Sequence, residues 1–299
     1  MIRRNFVGTV NGLLASISYG TNPLFAIPLY ACGFSVNSVL FYRYFFAVLI
    51  YVFIIKFIKK ISLKVSFKQM IFLFILGLLF SFSSLTLFKS FKFLDSGIAC
   101  TILFVYPMFT AIIMAIFFKE KITLKVILSM FCAFVGIFLL SVNNVSSKID
   151  PYGIVLVLSS AMLYALYMVG VKKFPYINHL KAEKLNFYTM LFGLLVYVFT
   201  SKFGFNLDTI DSVKHLFFLL MLSIFPTIIS IETINIAIKL IGSTKTAILG
   251  TLEPLSVIFF GVLFFGERLN FRSVLGIILI LCGISFVVVQ KQKNTGSQN

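Results

Sequence analysis

The chain has 299 residues, 60 % of them hydrophobic and 12 % charged, with a formal net charge of +17 and a mean hydropathy of +1.06. Soluble domains carry about a quarter charged residues, so this composition argues against a water-soluble fold and for a bilayer as solvent. The lysines and arginines sit in short clusters between apolar runs, with no continuous basic face, which argues against nucleic acid as a partner.

A bilayer-spanning helix needs about 20 mostly apolar residues. Ten segments meet that need: 6–30, 37–57, 69–90, 97–118, 124–142, 152–171, 184–201, 215–238, 244–265 and 271–290. The loops between them are short and hold no soluble domain, and the polar tail 291–299 is expected to be disordered. The fold class is therefore an all-α integral membrane protein with ten transmembrane helices.

In the first segment Gly8, Gly12, Ser16 and Gly20 recur every four residues, a stripe that lets a neighbouring helix come close. The same segment carries Asn11, Tyr19, Asn22 and Pro23, and Asn22-Pro23 reads as a broken-helix element at a cavity. The stretch LYAC, ending at Cys32, is faintly like a lipoprotein cleavage box. Tyr30 fits it poorly and the preceding segment is too long for a signal peptide, so the span is expected to be retained. Cys32, Cys100, Cys132 and Cys282 form no CxxC pair and read as small apolar residues.

Arg43 lies just inside one end of the second segment. It is expected to snorkel to the interface, with attraction of anionic cargo as the other reading, and Tyr42, Tyr44 and Tyr51 suit interfacial aromatics. In the third segment Ser81, Ser83, Ser84 and Thr86 either line a polar path or bond their own backbone. Tyr106 in the fourth segment and Tyr164 and Tyr167 in the sixth either stack a substrate ring or pack.

The eighth segment holds a polar stripe, Glu232, Asn235 and Lys239, with Lys239 as an end-cap. The ninth holds Glu253 followed by Pro254. A charge near the bilayer centre costs about 2.5–3.5 kcal/mol on insertion scales, so it usually faces a cavity or a partner. Pro254 has no N–H, which predicts a Gly250 carbonyl without its helical partner. At 1.5 Å per residue, Glu253 lies roughly 13 Å and Glu232 about 9 Å from the same end of the bundle. The two carboxylates are thus expected at comparable depth, where a proton could bind and leave during transport. Glu120 and Glu267 read as loop anchors paired with Lys121 and Arg268.

Several chemistries find no support. IGSTKT (241–246) lacks the Gly-Lys pair and the upstream glycine of a phosphate-binding loop. His179 and His215 lie in or near loops without metal-ligand spacing, and neither HExxH nor GxSxG occurs. No catalytic residue, metal or cofactor is expected.

Orientation follows from the basic residues. With the N-terminus inside, 18 of the 26 Lys and Arg fall on the cytoplasmic side, which predicts both termini there. The chain also repeats itself. At an offset of 147, residues 88–140 slide onto 235–287: Lys92 meets Lys239, Ser96 meets Ser243, Pro107 meets Pro254 and Glu120 meets Glu267. Two five-helix halves follow, 1–147 and 148–290. Five is odd, so the second half must cross the membrane in the opposite sense. Such inverted repeats mark secondary transporters, with the site near midplane between the halves.

These residues resemble a known family. A proline-bearing fourth helix in each half, followed by FFKEKIT (117–123) or FFGERLN (264–270), is similar to the EamA-type transporters of the drug/metabolite transporter superfamily. LEPLSVIFFGVLFFGERL (252–269), FYRYFFAVLIYV (41–52) and SSAMLYALYMVGVKK (159–173) carry the likeness across nearly the whole chain. The resemblance implies a ten-helix bundle around a central cavity. It also implies alternating access for small metabolites such as amino acids or nucleobase-like solutes, more often exported, in a bacterial inner membrane. The partners expected are such a solute and the lipid bilayer; a homodimer is left open. The substrate-binding residues expected are Glu253, Glu232, Asn235, Tyr19, Asn22, Tyr106, Tyr164 and Ser84, with helix breaks at Pro23, Pro107 and Pro254. The competing classes are an intramembrane lipid-modifying enzyme, which would need clustered acid or histidine chemistry, and a passive channel.

Overall fold

A computed structural model describes residues 2–90, 92–94, 99, 102–141, 150–177, 179–265 and 271–288. Asp95, Ser96, Cys100, Lys148, the expected Glu267–Arg268 pair and the tail 291–299 lie outside these residues.

The described residues form helices and no strand: α1 (Ile2–Tyr19), α2 (Asn22–Ala31), α3 (Val36–Phe53), α4 (Phe67–Ser90), α5 (Tyr106–Phe118), α6 (Leu124–Ser141), α7 (Pro151–Lys173), α8 (Ala182–Thr200), α9 (Val213–Ser223), α10 (Ser230–Ile241), α11 (Ser243–Leu249), α12 (Glu253–Phe265) and α13 (Phe271–Val288). A π-helical turn, Ile54–Ile58, extends α3, and another, Ile224–Ile229, joins α9 to α10. A 3-10 turn, Gly250–Leu252, joins α11 to α12.

Helix starts follow local chemistry. Ser35 accepts a bond from the Ser38 amide at the head of α3, Asp150 from Tyr152 at the head of α7, and Ser212 from His215 at the head of α9. Each satisfies an amide that the first helical turn leaves without a partner. Gly242, at φ +92°, makes the sharp corner between α10 and α11.

Among the described residues five helices are long and apolar enough to cross a membrane: Val36–Ile58, Phe67–Ser90, Pro151–Lys173, Val213–Ile241 and Ser243–Phe264. Three shorter apolar helices accompany them, Tyr106–Phe118, Leu124–Leu140 and Phe271–Phe286. The first expected span, 6–30, is not one helix: α1 and α2 are separated by a turn at Gly20–Thr21. Large apolar side chains such as Phe67, Phe131, Phe259 and Phe271 face outward, as bilayer-facing residues must.

The helices pair across the two halves of the chain. α6 packs along α13, α1 along α10, α4 along α7 and α8, α3 along α8, and α5 along α7 and α11. The α6–α13 pair is drawn together at glycine: a Cβ on Gly136 would lie 2.7 Å from the Gly276 carbonyl. The stripe on α1 is a packing face. Gly8 abuts Leu240 and Ile241, Gly12 abuts Leu249, and Gly20 abuts Ser256. The main core runs through the centre and includes Tyr44, Tyr51, Tyr167 and Tyr197. Tyr44 and Tyr51 are each only 1 % exposed. They are core residues, not the interfacial aromatics the sequence suggested, because α3 turns this face inward against α8. A separate apolar cluster, including Leu29, Val39 and Leu222, joins α2, α3 and α9.

Among the described residues one ion pair forms, Lys59–Glu183 at 3.6 Å. The expected Glu120–Lys121 pair does not form. Both side chains are exposed at a surface loop, where holding two long side chains together brings little.

Candidate functional site

The site begins with two interrupted helices that touch. In α1 the chain turns at Gly20, whose missing Cβ lets it sit on Ser256; a Cβ there would lie 2.4 Å from the Ser256 Cβ. Pro23 follows in the first turn of α2, where its lack of an N–H costs nothing. Opposite, Pro226 falls within the helical run from α9 to α10 and removes the donor that Leu222 would have used. The hydroxyl of Thr227 donates to the Leu222 carbonyl instead, at 2.8 Å, inside the π-helical turn. Ser18 ties the two interruptions together by donating to the Phe225 carbonyl.

Arg43 of α3 reaches into this turn. Its Nε donates to Thr227 Oγ1 at 2.5 Å and its Nη2 to the Pro226 carbonyl at 2.9 Å. Its guanidinium carbon stands 5.6 Å from the centroid of the Tyr19 ring. Arg43 is only 5 % exposed, so it does not snorkel to an interface as expected. The π-helical turn supplies the acceptors that a buried guanidinium requires, and the Tyr19 face supplies a cation–π contact.

Glu253 heads α12 on the far wall. The 3-10 turn before it brings its own amide onto the Gly250 carbonyl, so that carbonyl is not orphaned as Pro254 had suggested. Tyr106 crosses above. Its hydroxyl donates to the Ala247 carbonyl at 3.1 Å, and a Cβ on Gly250 would lie 1.9 Å from its oxygen. Tyr106 meets the Tyr164 ring edge-on at 4.9 Å.

Between these walls lies a cavity of about 790 Å³, counting its open mouth. Tyr19, Phe80, Tyr106 and Tyr164 supply rings; Ser16, Ser83, Ser84, Ser160, Thr227 and Ser230 supply hydroxyls. Among the described residues Glu253 is the one charged side chain on the wall. Among the described residues its carboxylate has no hydrogen-bonded or ion-paired partner, and Arg43 is the cation whose field reaches it.

The hydroxyls combine both roles foreseen for them. Ser84 and Thr86 donate to carbonyls of their own helix, Phe80 and Phe82. Ser83 donates to the Ser160 carbonyl at 3.0 Å and Ser160 returns a bond to the Ser83 carbonyl at 2.7 Å, clamping α4 to α7. Ser81 differs: it is fully buried, and among the described residues its hydroxyl has no hydrogen-bond partner.

The expected residues divide. Glu253, Tyr19, Tyr106, Tyr164 and Ser84 share the cavity. Asn22 and Pro23 begin α2, Pro107 stands in the first turn of α5 and Pro254 follows Glu253, all off the cavity wall. Glu232 and Asn235 are off the wall too, so the two carboxylates do not share the cavity. They belong to a buried chain of side chains. Asn186 Nδ2 donates to Glu232 Oε2 at 2.5 Å and Tyr51 Oη to the same oxygen at 3.4 Å. Asn235 Nδ2 donates to Asn186 Oδ1 at 2.5 Å, and Tyr167 Oη to Asn235 Oδ1 at 3.1 Å. Comparable depth does not put both acids on one wall, because depth does not fix which way a helix face points.

At the end of the bundle where the N-terminus lies, Lys239 caps in two directions. Its carbonyl accepts from Lys172 Nζ at 2.7 Å and Arg4 Nη2 at 3.4 Å, and its own Nζ donates to the Leu180 carbonyl at 2.6 Å. Cations suit a helix C-terminus for this reason. At the other end Asp208 accepts from the Ser35 amide at 2.6 Å, a bond that holds its carboxyl below the usual carboxylate range.

Sequence reading missed Asn186, Pro226 and Thr227, and the burial of Arg43. Pro226 in an apolar run was a break signal of the same kind as Pro254, and Asn186 was a lone amide in an apolar run.

Comparison with known proteins agrees with this architecture. The family profile described as the EamA-like transporter family matches twice, over residues 6–142 and 151–289. An uncharacterized transporter of Bacillus subtilis, YyaM, is 27 % identical, over 96 % of this chain and 97 % of its own. An uncharacterized transporter of Archaeoglobus fulgidus is 24 % identical over 70 % of this chain and 72 % of its own. A solved protein crystal structure superposes with a TM-score of 0.76 at 15 % identity, over 93 % of this chain and 95 % of that one, a likeness of fold alone. With a matching profile over both halves and apolar helices throughout, the chain belongs to the EamA-like transporter family, within the drug/metabolite transporter superfamily, and is a multi-pass membrane transporter.

Proposed function

We propose that this protein is a secondary transporter that exports small metabolites, such as amino acids or nucleobase-like solutes, across a bacterial inner membrane by alternating access. The observation that carries the reading is the cavity itself: one unpaired carboxylate, Glu253, stands among aromatic rings and hydroxyls inside a bundle of apolar helices. In this reading the chain has ten spans in two inverted five-helix repeats, 1–147 and 148–290, with both termini cytoplasmic. The support is that the packing is reciprocal: α1 lies on α10 as α7, its counterpart in the second half, lies on α4, and α6 lies on α13.

The cavity occupies the half of the bundle away from the Arg4, Lys172 and Lys239 contacts. With the termini inside, it belongs to an outward-facing state whose inner end those contacts hold shut. Glu253 is the group that exchanges a proton for cargo. The test is metabolite profiling of spent medium from deletion and overexpression strains, followed by counterflow of the responding solute in liposomes under an imposed pH gradient. A solute that tracks expression and moves with the gradient is expected. Medium that does not change with expression rules the reading out.

A further inference from the structure

We propose that Arg43 determines the charge specificity of the cavity: with Glu253 it makes a charge-balanced site that accepts solutes of zero net charge. The inference rests on the reading of the cavity as a solute site and narrows the class of solute.

Arg43 does not line the cavity but stands directly behind its wall. The two atoms it donates to, the Pro226 carbonyl and Thr227 Oγ1, belong to lining residues, and the ring it covers, Tyr19, is a third. Glu253 is the acid on the wall. Among the described residues neither charge has an ion-paired partner within 4.0 Å, and Tyr19, whose ring Arg43 covers, shares the cavity wall with Glu253. Glu232 is not a rival counter-ion. It is off the wall and engaged by Asn186 and Tyr51, and the charges that reach it are Glu183 and Lys239.

Inside a low-dielectric bundle an uncompensated charge is costly, and its field carries far. Arg43 and an ionised Glu253 compensate each other across the wall. A neutral or internally balanced solute leaves that balance intact. A cation or an anion leaves one charge in excess within the cavity. Arg43 therefore acts on the cargo through the wall, as a specificity-determining residue that never touches it.

Three probes with one ring and one chain length test this: 4-hydroxyphenylacetamide (neutral), tyramine (cation) and 4-hydroxyphenylacetate (anion). Their binding to the full-length protein in lipid nanodiscs is measured by calorimetry near pH 9, so that Glu253 is ionised. Wild type is expected to bind the amide about tenfold more tightly than either ion. Arg43→Met is expected to favour tyramine, Glu253→Gln to favour 4-hydroxyphenylacetate, and the double variant to restore the amide. Arg43→Lys, which keeps the charge, keeps the wild-type order. If Arg43→Met does not fold, the Glu253→Gln and Arg43→Lys arms decide. A wild type that does not prefer the amide, or an order that ignores these charges, overturns the inference. Counterflow of the amide in liposomes separates the two readings. Movement of solute without the charge order defeats only the charge inference. The charge order without movement defeats only the transport reading.

Discussion

The hydroxyl of Tyr106 lies over the backbone of Gly250, donating to the carbonyl of Ala247 one turn away at 3.1 Å. A methyl group on Gly250 would occupy the same space, 1.9 Å from the hydroxyl oxygen. Gly250→Ala is therefore expected to push Tyr106 out of the cavity wall and to destabilise the protein by about 1–3 kcal/mol, the usual cost of overpacking. Tyr106→Phe removes the clashing oxygen, so the double variant should regain most of the lost stability. Thermal unfolding of the two single variants and the double one reads this directly. Additive losses would mean that the contact does not carry the effect.

Glu253→Gln keeps the shape of the site and removes the one charge on its described wall. Solute is expected still to bind, while transport loses its response to an imposed pH gradient. The measurement is counterflow in liposomes with and without the gradient, in parallel with Glu232→Gln. Because Glu232 is off the cavity wall, its variant should retain the gradient response. Equal behaviour of the two variants would contradict the separation of the two carboxylates.

Asn186 joins Glu232 to Asn235 and is fully buried. Asn186→Ala strands polar groups on both sides of it, at a cost of about 1–3 kcal/mol for each one left unsatisfied. A clear fall in melting temperature is expected, with solute affinity at the cavity nearly unchanged. A loss of affinity with stability intact would place the network in the binding site instead.

Asp208 gives a pH signature at the other end of the bundle. The Ser35 amide lowers its folded pKa below the ordinary 3.8. A lowered folded pKa contributes stability that is fully present above the unfolded value and is lost as pH falls through the folded one. Compared with Asp208→Asn, wild type should hold its extra stability from neutral pH down to about 4 and lose it below. Melting curves of both proteins across the acid range check this; a difference that persists unchanged at the lowest pH would refute it.

The five helices long and apolar enough to cross a membrane were legible in the sequence, because about 20 apolar residues in succession leave an unmistakable run. The acid and proline at 253–254 were legible because both are expensive in such a run. The environment of Arg43 was not. A lone arginine near a span end reads as snorkelling unless acceptors wait inside, and those acceptors exist only because Pro226 forces a π-helical turn on a different helix. The separation of Glu232 from Glu253 was hidden for a related reason. Position along a helix gives depth, but the azimuth shifts wherever a π-helical or 3-10 turn intervenes, as at 224–229 and 250–252. Asn186 needed its partners on α10 before it could be distinguished from any other amide.

The two interruptions that meet beside Tyr19, the turn at Gly20–Thr21 and the π-helical turn at 224–229, lie on helices packed against each other. The reciprocal pair, α4 and α7, runs unbroken through 24 and 23 residues and is cross-clamped by Ser83 and Ser160. The bundle thus has a compliant flank and a stiff one. Bending confined to the compliant flank would swing α2 and α9, which already share an apolar cluster with the start of α3, as one leaf against a fixed post.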